Sequence, residues 1–198
     1  MDTQTFTKAQ NYDAYLELVK RLVAEGKSTG PNQTEELAYY TGLNLVRMER
    51  INKVFSFTEE LTAAIQKLNN NYRFVVLTEA WCGDAAQIVP VFNQIEKASQ
   101  GKITLKLLLR DENLDLMDQH LTNGARSIPK LIVYNEKEEV VATWGPRPQV
   151  LSEYMQQLKA ENKDLELTKM IEKIQLWYSK DRTLSTQKEI ADLIEKLT

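Results

Sequence analysis

Apolar residues recur every three or four positions in the first and last thirds of the chain, and form short continuous runs in the middle. Tyr12, Tyr15, Leu16, Val19, Leu22 and Val23 share one helical face, and Gly26 stops that run. After a loop at Ser28-Thr29-Gly30-Pro31, Asn32 with Glu35 predicts a capping box. The helix it opens carries the stripe Leu37, Tyr40, Met48, Ile51 and Phe55. Ser56 with Glu59 predicts another cap, ahead of Leu61, Ala64, Ile65 and Leu68, and the tract Asn69-Asn70-Asn71 ends that segment.

The middle alternates. Phe74-Val75-Val76-Leu77 has the pattern of a strand buried on both faces. Ile88, Val91, Phe92 and Ile95 predict a helix over 84–99, bent by Pro90, which lacks a backbone donor. A second buried strand is predicted over 103–109 and a short helix over 112–121, ending near Gly124. Residues 131–134 and 140–144 form a hairpin around Asn135-Glu136-Lys137-Glu138. Leu151, Tyr154, Met155 and Leu158 mark a closing helix. The order β-α-β-α-β-β-α predicts an α/β fold with a mixed sheet covered by helices.

The tail is helical again. Leu167, Met170, Ile171, Ile174, Trp177 and Tyr178 fit one stripe; Ile190, Leu193, Ile194 and Leu197 fit another, with Thr186 and Glu189 as its cap. The expected organisation is a helical extension over 1–71, a sheet domain over 72–160 and a second helical extension over 161–198. Both extensions carry apolar stripes that need a surface, either the sheet domain or a second copy in a homodimer.

Composition narrows the function classes. A chain of 198 residues, 42% apolar and 27% charged, can bury a substantial core. Lys and Arg number 25 against 28 Asp and Glu, a net charge of −3, so no nucleic-acid partner is expected. No apolar run approaches the roughly 18 residues of a membrane span, so no membrane partner is expected. Residues 1–10 are polar and lack a signal-peptide core, which makes the cytoplasm the expected compartment. There is one cysteine, Cys82, and one histidine, His120. They cannot form an internal disulfide or supply the soft ligands of a zinc or iron–sulfur site, so no metal and no cofactor are expected. The G-x-S-x-G, P-loop and G-x-G-x-x-G motifs are absent.

The chemistry concentrates at Ala80-Trp81-Cys82-Gly83-Asp84-Ala85-Ala86, where a buried strand gives way to a helix. A cysteine there meets unpaired amides and the positive end of the helix dipole, which favour the reactive thiolate. Cys82 is therefore expected to be exposed and poised as an anion, with Asp84 opposing this weakly through its like charge. Gly83 permits close backbone approach, and Trp81 offers a flat apolar wall. A free cysteine also packs as a small hydrophobe, so a structural thiol stays open. Trp81 and Trp144 fit ordinary packing as well as substrate contact. Asp84 fits a first-turn helix residue, and His120 a satisfied or exposed side chain beside Leu114, Met117 and Leu121. Arg126 and Arg147 fit solvated surface positions better than an anion site.

Trp81-Cys82-Gly83, Pro90 in the following helix and the segment Gly124-Ala125-Arg126-Ser127-Ile128-Pro129-Lys130-Leu131 together resemble the thioredoxin superfamily. The likeness covers roughly residues 72–160. It is closer to a bacterial thioredoxin-like subfamily with W-C-G-D at this site and a helical N-terminal extension, which Trp144-Gly145-Pro146-Arg147-Pro148 also resembles. The resemblance implies a thioredoxin-like fold with a four-stranded mixed sheet, extra helices at both ends, and a cis bond before Pro129 facing Cys82. It also implies that Ile128 offers its backbone to an extended peptide, a form of strand addition.

The departures shape the functional expectation. Ala85 occupies the resolving position of a C-x-x-C motif, and Val76 the place of the family's buried acid. No internal disulfide can close a reaction cycle. The implied activity is monothiol exchange, in which Cys82 forms a mixed disulfide that an external thiol releases. Cys82 would be the nucleophile, and Trp81, Gly83, Asp84, Ile128 and Pro129 the substrate-binding residues. The partner would be a disulfide-containing protein or a low-molecular-weight thiol, in the service of cell redox homeostasis. The alternative is a non-redox module that binds extended peptides beside the proline, and a third reading gives the helical flanks a structural role.

Overall fold

The continuous apolar run becomes β1 (Tyr72–Thr78), and Phe74, Val75, Val76 and Leu77 are all fully buried. The computed structural model describes residues 9–162, 164 and 166–198, so the polar segment 1–10 lies outside the described residues except for Ala9 and Gln10. Before β1 come α1 (Tyr12–Ala24), α2 (Glu35–Val54) and α3 (Glu59–Gln66). After it come α4 (Gly83–Ala98), β2 (Ile103–Leu109), a 3-10 turn (Arg110–Glu112), α5 (Leu114–Asp118), β3 (Lys130–Tyr134) and β4 (Val140–Trp144). The chain closes with α6 (Gln149–Glu161), α7 (Leu167–Asp181) and α8 (Leu184–Glu195).

The sheet order is β2-β1-β3-β4. β1 runs parallel to β2, with Phe74 opposite Leu105, and antiparallel to β3, with Phe74 opposite Val133. β4 forms one edge through the hairpin. At the other edge Gln10 exchanges two backbone hydrogen bonds with Leu107, at 2.9 and 2.8 Å. That short bridge occupies part of the edge of β2 which another chain would otherwise find open.

Much of the apolar stripe on each flank ends in the chain's own core, while Leu167 stays exposed. Tyr15, Val19 and Met48 from the first flank join Phe74, Phe92 and Ile95 from the centre, and Ile190 and Ile194 from the tail, in one cluster. α2 lies along α4, and α3 packs on α8. Gln187 is fully buried at the α3–α8 junction, where it accepts from the Thr58 amide at 2.8 Å and donates to the Ser56 carbonyl at 3.0 Å.

Helix starts differ from expectation for local reasons. Thr34, not Asn32, caps α2 by accepting from the Leu37 amide. Gln33 is occupied with Ser28 and Gly30, which holds this stretch in the preceding loop. Thr58, not Ser56, caps α3. Thr186 is buried inside α8 rather than capping it, because Asp181 already receives the Ser185 amide and starts the helix earlier. The helix expected over 112–121 is shorter, a 3-10 turn followed by one brief α-helix.

The bonds Ile128–Pro129 and Gly145–Pro146 are cis. Gly145 sits at φ +112°, and a side chain there would run into the carbonyl of Pro129. Only glycine lets the segment after β4 pass this close to the proline loop. The same segment delivers Arg147 toward the start of α4.

Candidate functional site

Cys82 is the N-cap of α4, immediately beyond the strand-to-helix turn. Its Sγ accepts from the Ala85 amide at 3.5 Å and lies 3.4 Å from the Ile128 carbonyl, to which the thiol donates. The proline loop, 46 residues along the chain, therefore abuts the sulfur. The turn is held from behind by Asn44, fully buried on α2, whose amide donates to the Ala80 carbonyl at 2.8 Å.

The expected exposure of Cys82 is corrected by the structure. The residue is only 8% exposed and belongs to the hydrophobic core. Burial, followed by the charge of Asp84, pushes its thiol up to about 12; the amides of Ala85 and Asp84 pull the other way and lose. The expectation of a poised anion fails for the same reason. Local amides at a helix start favour the thiolate, but they are outweighed once the sulfur leaves water.

Asp84 lies in the first turn of α4 and is buried. Arg147 approaches its Oδ2 with both Nε and Nη2, the former at 2.9 Å, so Arg147 is an ion-pair partner rather than a solvated surface residue. Tyr178 on α7 donates to its Oδ1 at 2.8 Å. Burial holds the Asp84 carboxyl above the usual range even so, because these two partners only partly offset the lost water. Burial and the neighbouring carboxylate raise Tyr178 well above an ordinary phenol.

The other predicted residues fall as follows. Gly83 faces α7, where a Cβ would meet Gln175 Nε2 at 2.8 Å, so the C-terminal helix covers the opening turn. Gln175 also accepts from Gln87 at 2.8 Å. Trp81 is partly buried and its ring carries the Arg110 guanidinium, 5.0 Å from the centroid. Ala85 is buried in the core at the expected resolving position. Ile128 and Pro129 are both buried, and the bond between them is cis. Trp144 stacks edge-on with Phe92 and donates to Glu189 at 2.7 Å, which is packing. Arg126 pairs with Asp118 through two bonds of 2.6 and 2.7 Å. His120 is half-buried.

Four residues here escape sequence reading. Glu79 is fully buried three residues before Cys82; its Oε1 accepts from the Asp111 amide at 2.9 Å, and its Oε2 has no hydrogen-bond partner among the described residues. Burial holds its carboxyl above the usual range. A lone charge closing a continuous apolar strand was its signal. Asn44, Arg47 and Gln175 sit on helices far away in sequence, and nothing near Cys82 points to them.

Comparison with known proteins comes last. A family model described as thioredoxin matches residues 30–176. A thioredoxin from Synechocystis sp. is 32% identical over 68 residues, which is 34% of this chain and 61% of that protein. A thioredoxin from Rickettsia conorii is 30% identical over 59 residues, 30% of this chain and 53% of that protein. The matched stretch thus spans between about half and three fifths of these curated relatives. A crystal structure of a protein of unknown function from Pseudomonas aeruginosa superposes with a TM-score of 0.60 at 17% identity, over 96% of this chain and 99% of that one. An HIV epitope scaffold gives 0.57 at 17% identity, over 94% and 99%. At that identity the two structures speak for the fold alone.

Proposed function

This chain belongs to the thioredoxin family, and from that premise we propose that it carries out thiol–disulfide exchange through Cys82 alone. The observation that carries the reading is the sulfur at the α4 N-cap, 3.4 Å from the Ile128 carbonyl beside Pro129. In the reaction, Cys82 loses its proton to solvent and its sulfur attacks one sulfur of a disulfide. A new S–S bond forms, the old one breaks, and the distal sulfur leaves with the electron pair as a thiolate. Ala85 supplies no second thiol, so an external low-molecular-weight thiol attacks the mixed disulfide and restores Cys82. Ile128 and Pro129 position the substrate, with Trp81, Gly83 and Asp84 around it. Because the thiol is held near 12, exchange runs from a small ionised fraction and accelerates with rising pH. Such a protein serves cell redox homeostasis.

The test is reduction of a peptide–glutathione mixed disulfide by glutathione, with wild type against Cys82→Ser. Turnover by the wild type alone supports exchange; equal rates overturn it. A second reading then stands, a module that binds extended peptides without exchange. It is favoured by the burial of Cys82 and by alanine at the resolving position.

A further inference from the structure

Beside Cys82 lies a cleft of about 560 Å³, lined in part by Trp81, Cys82, Gly83 and Asp84 of the exchange site itself. Its walls come from α2, the turn after β1, α6 and α7, and include Tyr40, Trp81, Met155, Met170 and Ile174. Its size is that of a small-molecule site, and its lining is mainly apolar. Glu36 and Lys159 are both exposed to water, and Arg147 is paired with Asp84.

One further lining cation is partly withdrawn from water. Arg47 is partly buried on α2, and its Nη1 donates to Asn44 Oδ1 at 2.7 Å. Asn44 in turn holds the Ala80 carbonyl, so the guanidinium is clamped to the segment that bears Trp81 and Cys82. Its Nη1 stands 3.7 Å from where a Cβ on Gly83 would lie. Among the described residues no carboxylate forms an ion pair with Arg47, while Arg110, Arg126 and Arg147 each have one. A guanidinium partly removed from water and lacking a counter-charge gains from meeting an anion. The apolar wall beside it gains from covering hydrocarbon.

We propose that this cleft binds a small monocarboxylate with a medium-length aliphatic body, its carboxylate on Arg47 and its hydrocarbon along Met155, Met170 and Ile174. The binding goes beyond the exchange reaction: Cys82 lines the same cleft, but holding the ligand needs no step at the sulfur, so it is read by titration and not by turnover. Arg47 fixes the charge of the ligand, and the lining fixes its apolar character. Two of the walls, α2 and α7, belong to the helical extensions, so those helices build the site as well as completing the core.

Isothermal titration of the full chain tests it, with octanoate and the uncharged octanamide as probes. The expected result is saturable one-to-one binding, with octanoate at least tenfold tighter than the amide. Across butanoate, hexanoate and octanoate the affinity should rise roughly fourfold per methylene. Arg47→Met should remove the preference for the acid, and Arg47→Lys should keep most of it. Should Arg47→Met fail to fold, Met170→Trp, which fills the cleft from the other wall, should weaken acid and amide alike. Equal affinity for acid and amide in the wild type, binding that never saturates, or no binding at millimolar octanoate overturns the proposal, as does a preference that survives Arg47→Met.

Discussion

Tyr178 donates its phenolic hydrogen to Asp84 Oδ1 across 2.8 Å, tying α7 to the first turn of α4, 94 residues away in sequence. Both groups are buried, so neither finds water if the bond is lost. Tyr178→Phe keeps the ring and removes only this donor. A buried hydrogen bond to a charged group contributes about 1.5–3 kcal/mol. Urea denaturation should therefore show a loss in that range with an unchanged m-value; no loss would mean that α7 is not anchored there.

Asp84 also acts on the sulfur. Its charge is the second cause, after burial, of the raised Cys82 thiol. Asp84→Asn removes that charge and leaves Arg147 as a nearby cation, and both changes favour the thiolate. Iodoacetamide should label Cys82 faster than in wild type at pH 8, because a larger fraction of the thiol is ionised. Breaking the buried pair should cost about 3 kcal/mol in the same variant. An unchanged labelling rate would show that Asp84 does not govern the sulfur.

Cys82 also links stability to alkaline pH. The folded chain keeps its thiol proton to about 12, whereas an unfolded chain releases it near 8.5. Its contribution is complete below the unfolded value and shrinks as pH rises through that window, because only the folded state still holds the proton. Between about pH 8.5 and 10 the wild type should lose roughly 1.5 kcal/mol more than Cys82→Ser. Parallel urea curves at the two pH values decide the matter, and equal losses would place the sulfur in water.

Gln187 joins the two ends of the chain. It satisfies the Thr58 amide and the Ser56 carbonyl and also donates to Thr183 at 3.0 Å. Gln187→Ala removes both bonds at a junction that is only partly buried on the Ser56–Thr58 side. The expected cost is about 1–2 kcal/mol. Amide exchange should quicken in α3 and α8 together, whereas quickening in α8 alone would mean that the two are not coupled.

Ala85→Cys restores a second thiol one turn into α4. The Ala85 amide already points at Sγ, and cysteine fits where alanine packs, as a small hydrophobe. Mild oxidation should then remove both free thiols within one chain, and reductase activity on insulin disulfides should appear. Two persistent thiols would show that the helix start does not hold a dithiol geometry.

The reach of the primary structure can be read from particular residues. Phe74 to Leu77 and residues 103–109 announced themselves as strands because burial on both faces forces every position to be apolar. Cys82, Gly83 and Asp84 were legible as the opening of a helix because strand-to-helix chemistry is local. Capping was less legible: Asn32 and Ser56 had suitable side chains, but Gln33 and Gln187 drew those segments into other hydrogen bonds. Glu79 gave a faint sign as a charge ending an apolar run.

What the chain's own order of residues determined was the sheet, its covering helices and the placing of one sulfur at a helix start, since these depend on periodicity and neighbours. The state of that sulfur belongs to the tertiary structure. The Ile128 carbonyl abuts it, Asp84 is drawn in by Arg147 and Tyr178, and Gln175 of α7 and Arg47, held by Asn44, come up against the neighbouring Gly83. Each arrives from a distant part of the chain, and the removal of water that they produce outweighs the amides that sequence proximity provides.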